Sequence, residues 1–149
     1  MAQSPDALRD LGRVAQAFER LEKSAFSDFG AASETSCRIL AALLPARGLS
    51  ISALALRVGA DPPWVSQVVE RMRLEGLLDR EPDPDDRRRV RVRLTAAGRR
   101  RAAHLRVSLQ EQIERLLARI PSPTRQLVIE ALGPLADALE SKDRRLRSL

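Results

Sequence analysis

Residues 51–98 read ISALALRVGADPPWVSQVVERMRLEGLLDREPDPDDRRRVRVRLTAAG, and a change of period inside this stretch decides the fold. Leu54, Ala55 and Val58 recur at helical spacing, with Ser52 available as a cap and Gly59 placed to end the helix at a left-handed turn. Asp61 then caps a second helix with Pro62 in its first turn, and Val65, Val68, Val69 and Met72 form its inward stripe until Gly76 stops it. Beyond Gly76 the period falls to two. Leu77 to Glu81 predicts a strand and Pro82 to Asp86 a turn. Val90, Val92 and Leu94 then alternate with Arg89, Arg91 and Arg93 in a return strand with a basic outer face.

Working outward, Ser4-Pro5 opens a long first helix through Leu8, Leu11, Ala15, Phe18, Leu21, Ala25 and Phe29. A second helix starts after Ser33, carries Cys37, Leu40, Leu43 and Leu44, and stops at Pro45 and Gly48. Thr95 caps a long helix with Ala102, Leu105, Leu109, Ile113, Leu116 and Ile120 on one side. Pro121-Ser122-Pro123 breaks it, and a last helix follows with a bend expected at Gly133-Pro134. The expected fold class is therefore mainly α: a winged helix-turn-helix core with a two-stranded β wing, flanked by long terminal helices. At 149 residues the chain reads as one domain. Within it, residues 33–98 form the winged-helix lobe, and residues 4–30 with 99–149 supply the terminal helices.

Composition narrows the function. A chain of this size buries roughly 68–70% of its unfolded surface and needs no disulfide or structural metal to hold a core. One Cys and one His supply neither a zinc site nor an internal disulfide, and no cofactor is expected. No apolar run reaches the ~18 residues of a membrane span. The opening MAQSPDALRD lacks the apolar stretch of a secretory signal, so a cytoplasmic location without membrane partners is the expectation. No nucleophile–base pair, phosphate-cradling glycine loop or ligand cluster points to an enzyme.

Charge is distributed unevenly. Residues 1–78 hold nine basic and nine acidic groups, whereas Arg87 to Arg106 holds nine arginines and no acidic residue. Without that stretch the remaining 17 basic and 20 acidic groups would leave a net charge of −3. Concentrated Arg suits a polyanion, because neutralising phosphates releases condensed counterions. The helix that Asp61 and Pro62 open is narrow enough for the major groove of double-stranded DNA, and its outward positions include Trp64, Gln67 and Arg71. Gln67 can pair with an adenine edge, Arg71 can reach a phosphate or guanine, and Ser66 can anchor on the backbone. Arg87, Arg88 and Arg89 are long enough to enter the minor groove, with Arg89 and Arg91 positioned for phosphates. The alternatives are a solvated face for Gln67 and Arg71, and packing on the wing for Trp64.

The stretch from Leu54 to Gly98 resembles the MarR (multiple antibiotic resistance regulator) family. The resemblance rests on Leu54-Ala55, Gly59, Val65-Ser66, Glu75-Gly76-Leu77-Leu78, Arg80, the wing Asp83-Pro84-Asp85-Asp86-Arg87-Arg88, and the exit Leu94-Thr95-Ala96-Ala97-Gly98. It implies a transcriptional regulator, most often a repressor, in which Asp86 orients an Arg88 that enters the minor groove. Asp86 as a simple turn residue is the other reading. The sequence departs from the common family pattern at Gln67, where many members carry Arg, and at Trp64, which replaces a smaller residue. Operator sequence therefore does not transfer.

The terminal helices carry apolar stripes too long for a lobe of this size to cover. A second copy is the expected partner, giving a homodimer on a pseudo-palindromic operator with half-sites ~34 Å apart. A monomer whose terminal helices fold over their own core is the alternative arrangement. The resemblance further implies a small aromatic or amphipathic effector between the dimerisation helices and the DNA-binding lobe, with Phe18, Phe26, Phe29 and Cys37 as candidates either for that pocket or for the core. In similar regulators that sense oxidants the cysteine lies on the first helix, so Cys37 reads as an inert thiol. An architectural DNA-binding protein with little sequence preference is the competing function.

Overall fold

A computed structural model describes residues 5–27 and 34–146, with side chains described within 6–27 and 34–138. The elements run α1 (Pro5–Ser27), α2 (Glu34–Leu43), α3 (Ile51–Val58), α4 (Pro62–Leu74), β1 (Leu78–Pro82), β2 (Val90–Leu94), α5 (Ala96–Ala118) and α6 (Ser122–Leu146). Ser33 and Phe29 lie outside the described residues. The chain divides into two compact units, residues 1–110 and 111–149, and α5 belongs partly to each.

In the first unit the core gathers Ile39, Leu40 and Leu43 of α2, Leu54 and Val58 of α3, and the expected α4 stripe of Val65, Val68, Val69 and Met72. Leu78, Val92 and Leu94 of the strands and Ala102 and Leu105 of α5 complete it. Each of the larger side chains contributes about 1.5–3 kcal/mol by leaving water. Phe26 and Ala25 bury the end of α1, but residues 6–20 of that helix are exposed all round. The first four turns of α1 thus do not fold over this core.

Local chemistry explains the boundaries. The cap of α3 is Ser50 rather than the expected Ser52: its hydroxyl accepts the Ala53 N–H at 3.1 Å, while Ser52 is exposed on the helix. Gly59 ends α3 with φ +68°, where it donates its N–H back to Ala55 and turns the chain into α4. Asp61 sits at the N-cap of α4 but makes no side-chain capping bond.

The hairpin is antiparallel with Leu78 opposite Leu94, Arg80 opposite Val92 and Pro82 opposite Val90. Leu49 adds a bridge that the sequence did not suggest, exchanging backbone hydrogen bonds of 3.0 and 2.8 Å with Val92 and tying the α2–α3 connection to the wing. The Leu94-Thr95-x-x-Gly98 exit closes the wing. Thr95 accepts the Gly98 N–H at 3.0 Å and donates its hydroxyl to the Gly76 carbonyl at 2.7 Å, while its own N–H reaches Leu77 O at 3.0 Å. A Cβ on Gly98 would stand 2.0 Å from that Leu77 oxygen, which is why no side chain fits there.

In the second unit, Arg125 donates to the carbonyls of Ile120 (2.9 Å) and Ala118 (3.3 Å), satisfying acceptors at the break after α5. α6 continues through Gly133-Pro134 with Pro134 inside the helix. Leu127, Ile129, Leu132 and Leu135 are exposed along it.

Candidate nucleic-acid interface

Two elements present the candidate reading groups. On α4, Gln67 is exposed one turn into the helix and Ser66 is half-buried. Ser66 lines a groove of about 320 Å³ whose other walls include Ile51, Arg80, Arg87 and Val90. The fold thus brings Ser66 of the helix and Arg87 of the wing to one cavity. Arg80 joins them, held 3.8 Å from Glu70, which also grips Arg73 at 2.7 Å. That grip keeps the Glu70 carboxyl below its ordinary range and raises Arg73.

The other two outward candidates on α4 face elsewhere. Trp64 donates its indole N–H to the Thr35 hydroxyl at 3.3 Å, so it turns toward α2 and not onto the wing. Arg71 places a guanidinium nitrogen 3.5 Å from the Ser36 hydroxyl, also on α2. Thr35 and Ser36 are contributions that sequence reasoning missed; an exposed-position indole that needs an acceptor was the available signal.

The wing is less basic than its return strand suggests. Residues 78–94 hold six arginines and five carboxylates, and the hairpin folds one set onto the other. Arg93 meets Glu81 at 2.9 Å and Asp79 at 3.7 Å. Arg91, expected as a phosphate contact, meets Asp83 at 2.6 Å and Asp85 at 3.3 Å within the wing. Asp83 is the buried end of this strut: it accepts the Asp85 N–H at 2.8 Å, and its own N–H donates to Arg89 O at 2.8 Å. The Asp85 N–H first, and the Arg91 guanidinium after it, hold the Asp83 carboxyl below the usual carboxylate range.

At the tip, Asp86 accepts the backbone N–H of Arg88 at 3.1 Å and pairs loosely with the Arg89 guanidinium at 3.5 Å. It therefore supports Arg88 through the turn's backbone, not through the guanidinium. Among the described residues no ion pair holds Arg87 or Arg88, and both are exposed. Pairing of these two cations with phosphate would break no internal ion pair.

Of the candidate pocket residues, Phe26 and Cys37 are packed into one hydrophobic core. Phe18 is exposed on α1, Phe29 lies outside the described residues, and Cys37 is fully buried. Burial pushes the Cys37 thiol up, against a smaller lowering by Arg101, which keeps it protonated. An apolar cleft of about 280 Å³ instead lies between α2 and α5, lined by Ala41, Leu44, Pro45, Ala102, Leu105, Arg106 and Leu109. Among the described residues no cluster of His, Cys, Asp and Glu could hold a metal ion, and no helix is long and apolar enough to cross a membrane.

A short helix, a left-handed glycine turn, a second helix and an antiparallel wing with a cationic tip define a winged helix-turn-helix, a fold that many DNA-binding proteins share. Residues 33–89 match the model of the MarR family. The chain is 26% identical over 109 residues to YdgJ, an uncharacterized HTH-type transcriptional regulator of Bacillus subtilis strain 168, a match covering 73% of this chain and 66% of that one. It is 32% identical over 88 residues to a protein of Thauera aromatica linked by its name to transcriptional regulation of an hcr operon, covering 59% of this chain and 53% of that one. The PcaV transcriptional regulator of Streptomyces coelicolor, solved in complex with its natural ligand, superposes with a TM-score of 0.63 at 27% identity, covering 93% of this chain and 99% of that one. Over its winged-helix part the chain is thus similar to the MarR family of transcriptional regulators.

Proposed function

We propose that this regulator works in the cytoplasm as a homodimeric, sequence-specific repressor on a pseudo-palindromic operator. The observation that carries the reading is the unpaired, exposed Arg87 and Arg88 at the wing tip beside a helix that exposes Gln67 and shares a groove with Arg87 through Ser66. In this reading α4 enters the major groove, Gln67 reads a base edge, Ser66 anchors on the backbone, and Arg88 enters the minor groove. Leu8, Leu11, Val14 and Phe18 on α1, and Leu127, Leu132 and Leu135 on α6, are exposed apolar positions that a second copy would cover.

The α2–α5 cleft is the seat we assign to a small aromatic or amphipathic effector that releases the DNA. Its lining is apolar apart from Arg106, which suits an anionic head on a hydrophobic body.

Selection from a randomised duplex pool tests the function. The expected product is an inverted repeat whose half-sites lie ~34 Å apart. Enrichment of no sequence, with binding that depends only on salt, would instead establish an architectural DNA-binding protein.

A further inference from the structure

We propose that Thr35 and Ser36, in the first turn of α2, are positioning residues that latch the reading helix in its DNA-facing rotation. The inference rests on the reading of α4 as the DNA-reading helix. Trp64 and Arg71 stand seven residues, about two turns, apart on one stripe of α4. Their side chains meet adjacent hydroxyls of α2, Trp64 Nε1 at 3.3 Å from Thr35 Oγ1 and Arg71 Nη2 at 3.5 Å from Ser36 Oγ.

No side chain of its own N-terminus fixes the rotation of α4: Asp61 forms no side-chain cap, and Pro62 and Pro63 have no N–H to receive one. The indole bond is a side-chain tie within the first turn of α4, and Ser66 and Gln67 follow two and three residues after Trp64. The anchor is itself fixed, since Arg38 of α2 pairs with Glu34 at 2.9 Å and reaches Glu22 of α1 at 3.2 Å. Turning α4 about its axis would break both hydroxyl contacts and re-aim Gln67, so the latch acts on base reading through α4 and touches no base itself.

The test uses the full chain, the duplex that it enriches from a random pool, and a scrambled duplex of equal length. Thr35→Val removes the hydroxyl at nearly constant shape, Thr35→Ser keeps it, and Trp64→Phe removes the indole N–H. Expected is a loss of about three- to tenfold for the enriched duplex with Thr35→Val, the scale of one neutral hydrogen bond. Affinity for the scrambled duplex should not move, Thr35→Ser should restore binding, and the double variant should lose no more than the larger single loss. Equal losses on both duplexes, or no loss on the enriched one, overturn the latch.

Trp64 is the sole tryptophan, so its indole proton is a DNA-independent monitor. Its hydrogen exchange should quicken in Thr35→Val, and equal exchange in both proteins overturns the latch. A wild-type chain that prefers neither duplex removes the reading role of α4, while indole exchange still decides the contact.

Discussion

Arg88 is exposed, no ion pair holds its guanidinium among the described residues, and its backbone N–H is pinned by Asp86, so it can meet phosphates or a narrow minor groove without breaking such a pair. Arg88→Ala should weaken operator binding by ~1–3 kcal/mol and leave the melting temperature and dimerisation unchanged. Fluorescence anisotropy at matched salt measures it, and binding within twofold of wild type would refute the wing assignment. Gln67 makes a different kind of contact. An amide can match an adenine edge but carries no charge, so Gln67→Ala should relax base preference at one symmetric pair of operator positions with little change in salt dependence. Sequencing of selected duplexes reads that preference directly, and an unchanged preference removes Gln67 from the reading face. Trp64 and Arg71 were legible as outward residues of a helix but not as partners of α2. Helical periodicity gives a direction from one axis and says nothing about which neighbour stands there.

The wing shows what an element adds to its residues. Counted along the chain, Arg87 to Arg106 is a block of one sign, and the carboxylates that neutralise part of it lie upstream at Asp79, Glu81, Asp83 and Asp85. Antiparallel pairing folds the acidic strand onto the basic one, with Asp79 opposite Arg93 and Glu81 opposite Arg91. The strands themselves were readable from their alternation, whereas the pairing of charges depended on register. Arg91→Ala should accordingly leave the salt slope of DNA binding nearly unchanged, while Arg88→Ala should lower it by about 0.9 if one phosphate contact is lost. The strut also has a pH signature. Asp83 has a depressed folded pKa, so its contribution is fully present above the unfolded carboxylate value of about 3.9 and is lost as pH falls through the lower folded value. Acid titration of the wing's backbone amides by NMR should show this loosening in wild type, and Asp83→Asn should remove that step.

At the scale of the whole molecule, the organisation into a winged lobe flanked by long helices was visible in the sequence because breakers stand at the joints: Gly59, Gly76 and Pro121-Ser122-Pro123. Caps were less legible. Ser50 and Ser52 are both chemically able to cap α3, and the choice fell to Ser50 because the Leu49 bridge to Val92 places its hydroxyl at the helix entrance. The apolar positions of α1 and α6 remain exposed within their own units, which is the expected condition of surfaces awaiting a second chain. Leu11→Asp and Leu135→Asp would each strand a charge in a desolvated contact and should yield monomers on sedimentation. Such monomers should keep weak, salt-sensitive binding through the wing and lose the gain that comes from engaging two half-sites together. Variants that stay dimeric and bind the inverted repeat normally would defeat this arrangement.

The cationic surface is built from arginine alone. The chain has two lysines, Lys23 on α1 and Lys142 on α6, and no lysine lies anywhere between them, so α4 and the wing carry no primary amine. Lysine acetylation therefore has no target on that surface, and this route to lowering DNA affinity is closed. The same property makes amine coupling a favourable way to tether the protein to a sensor chip: attachment through lysine leaves α4 and the wing chemically untouched and free to meet DNA.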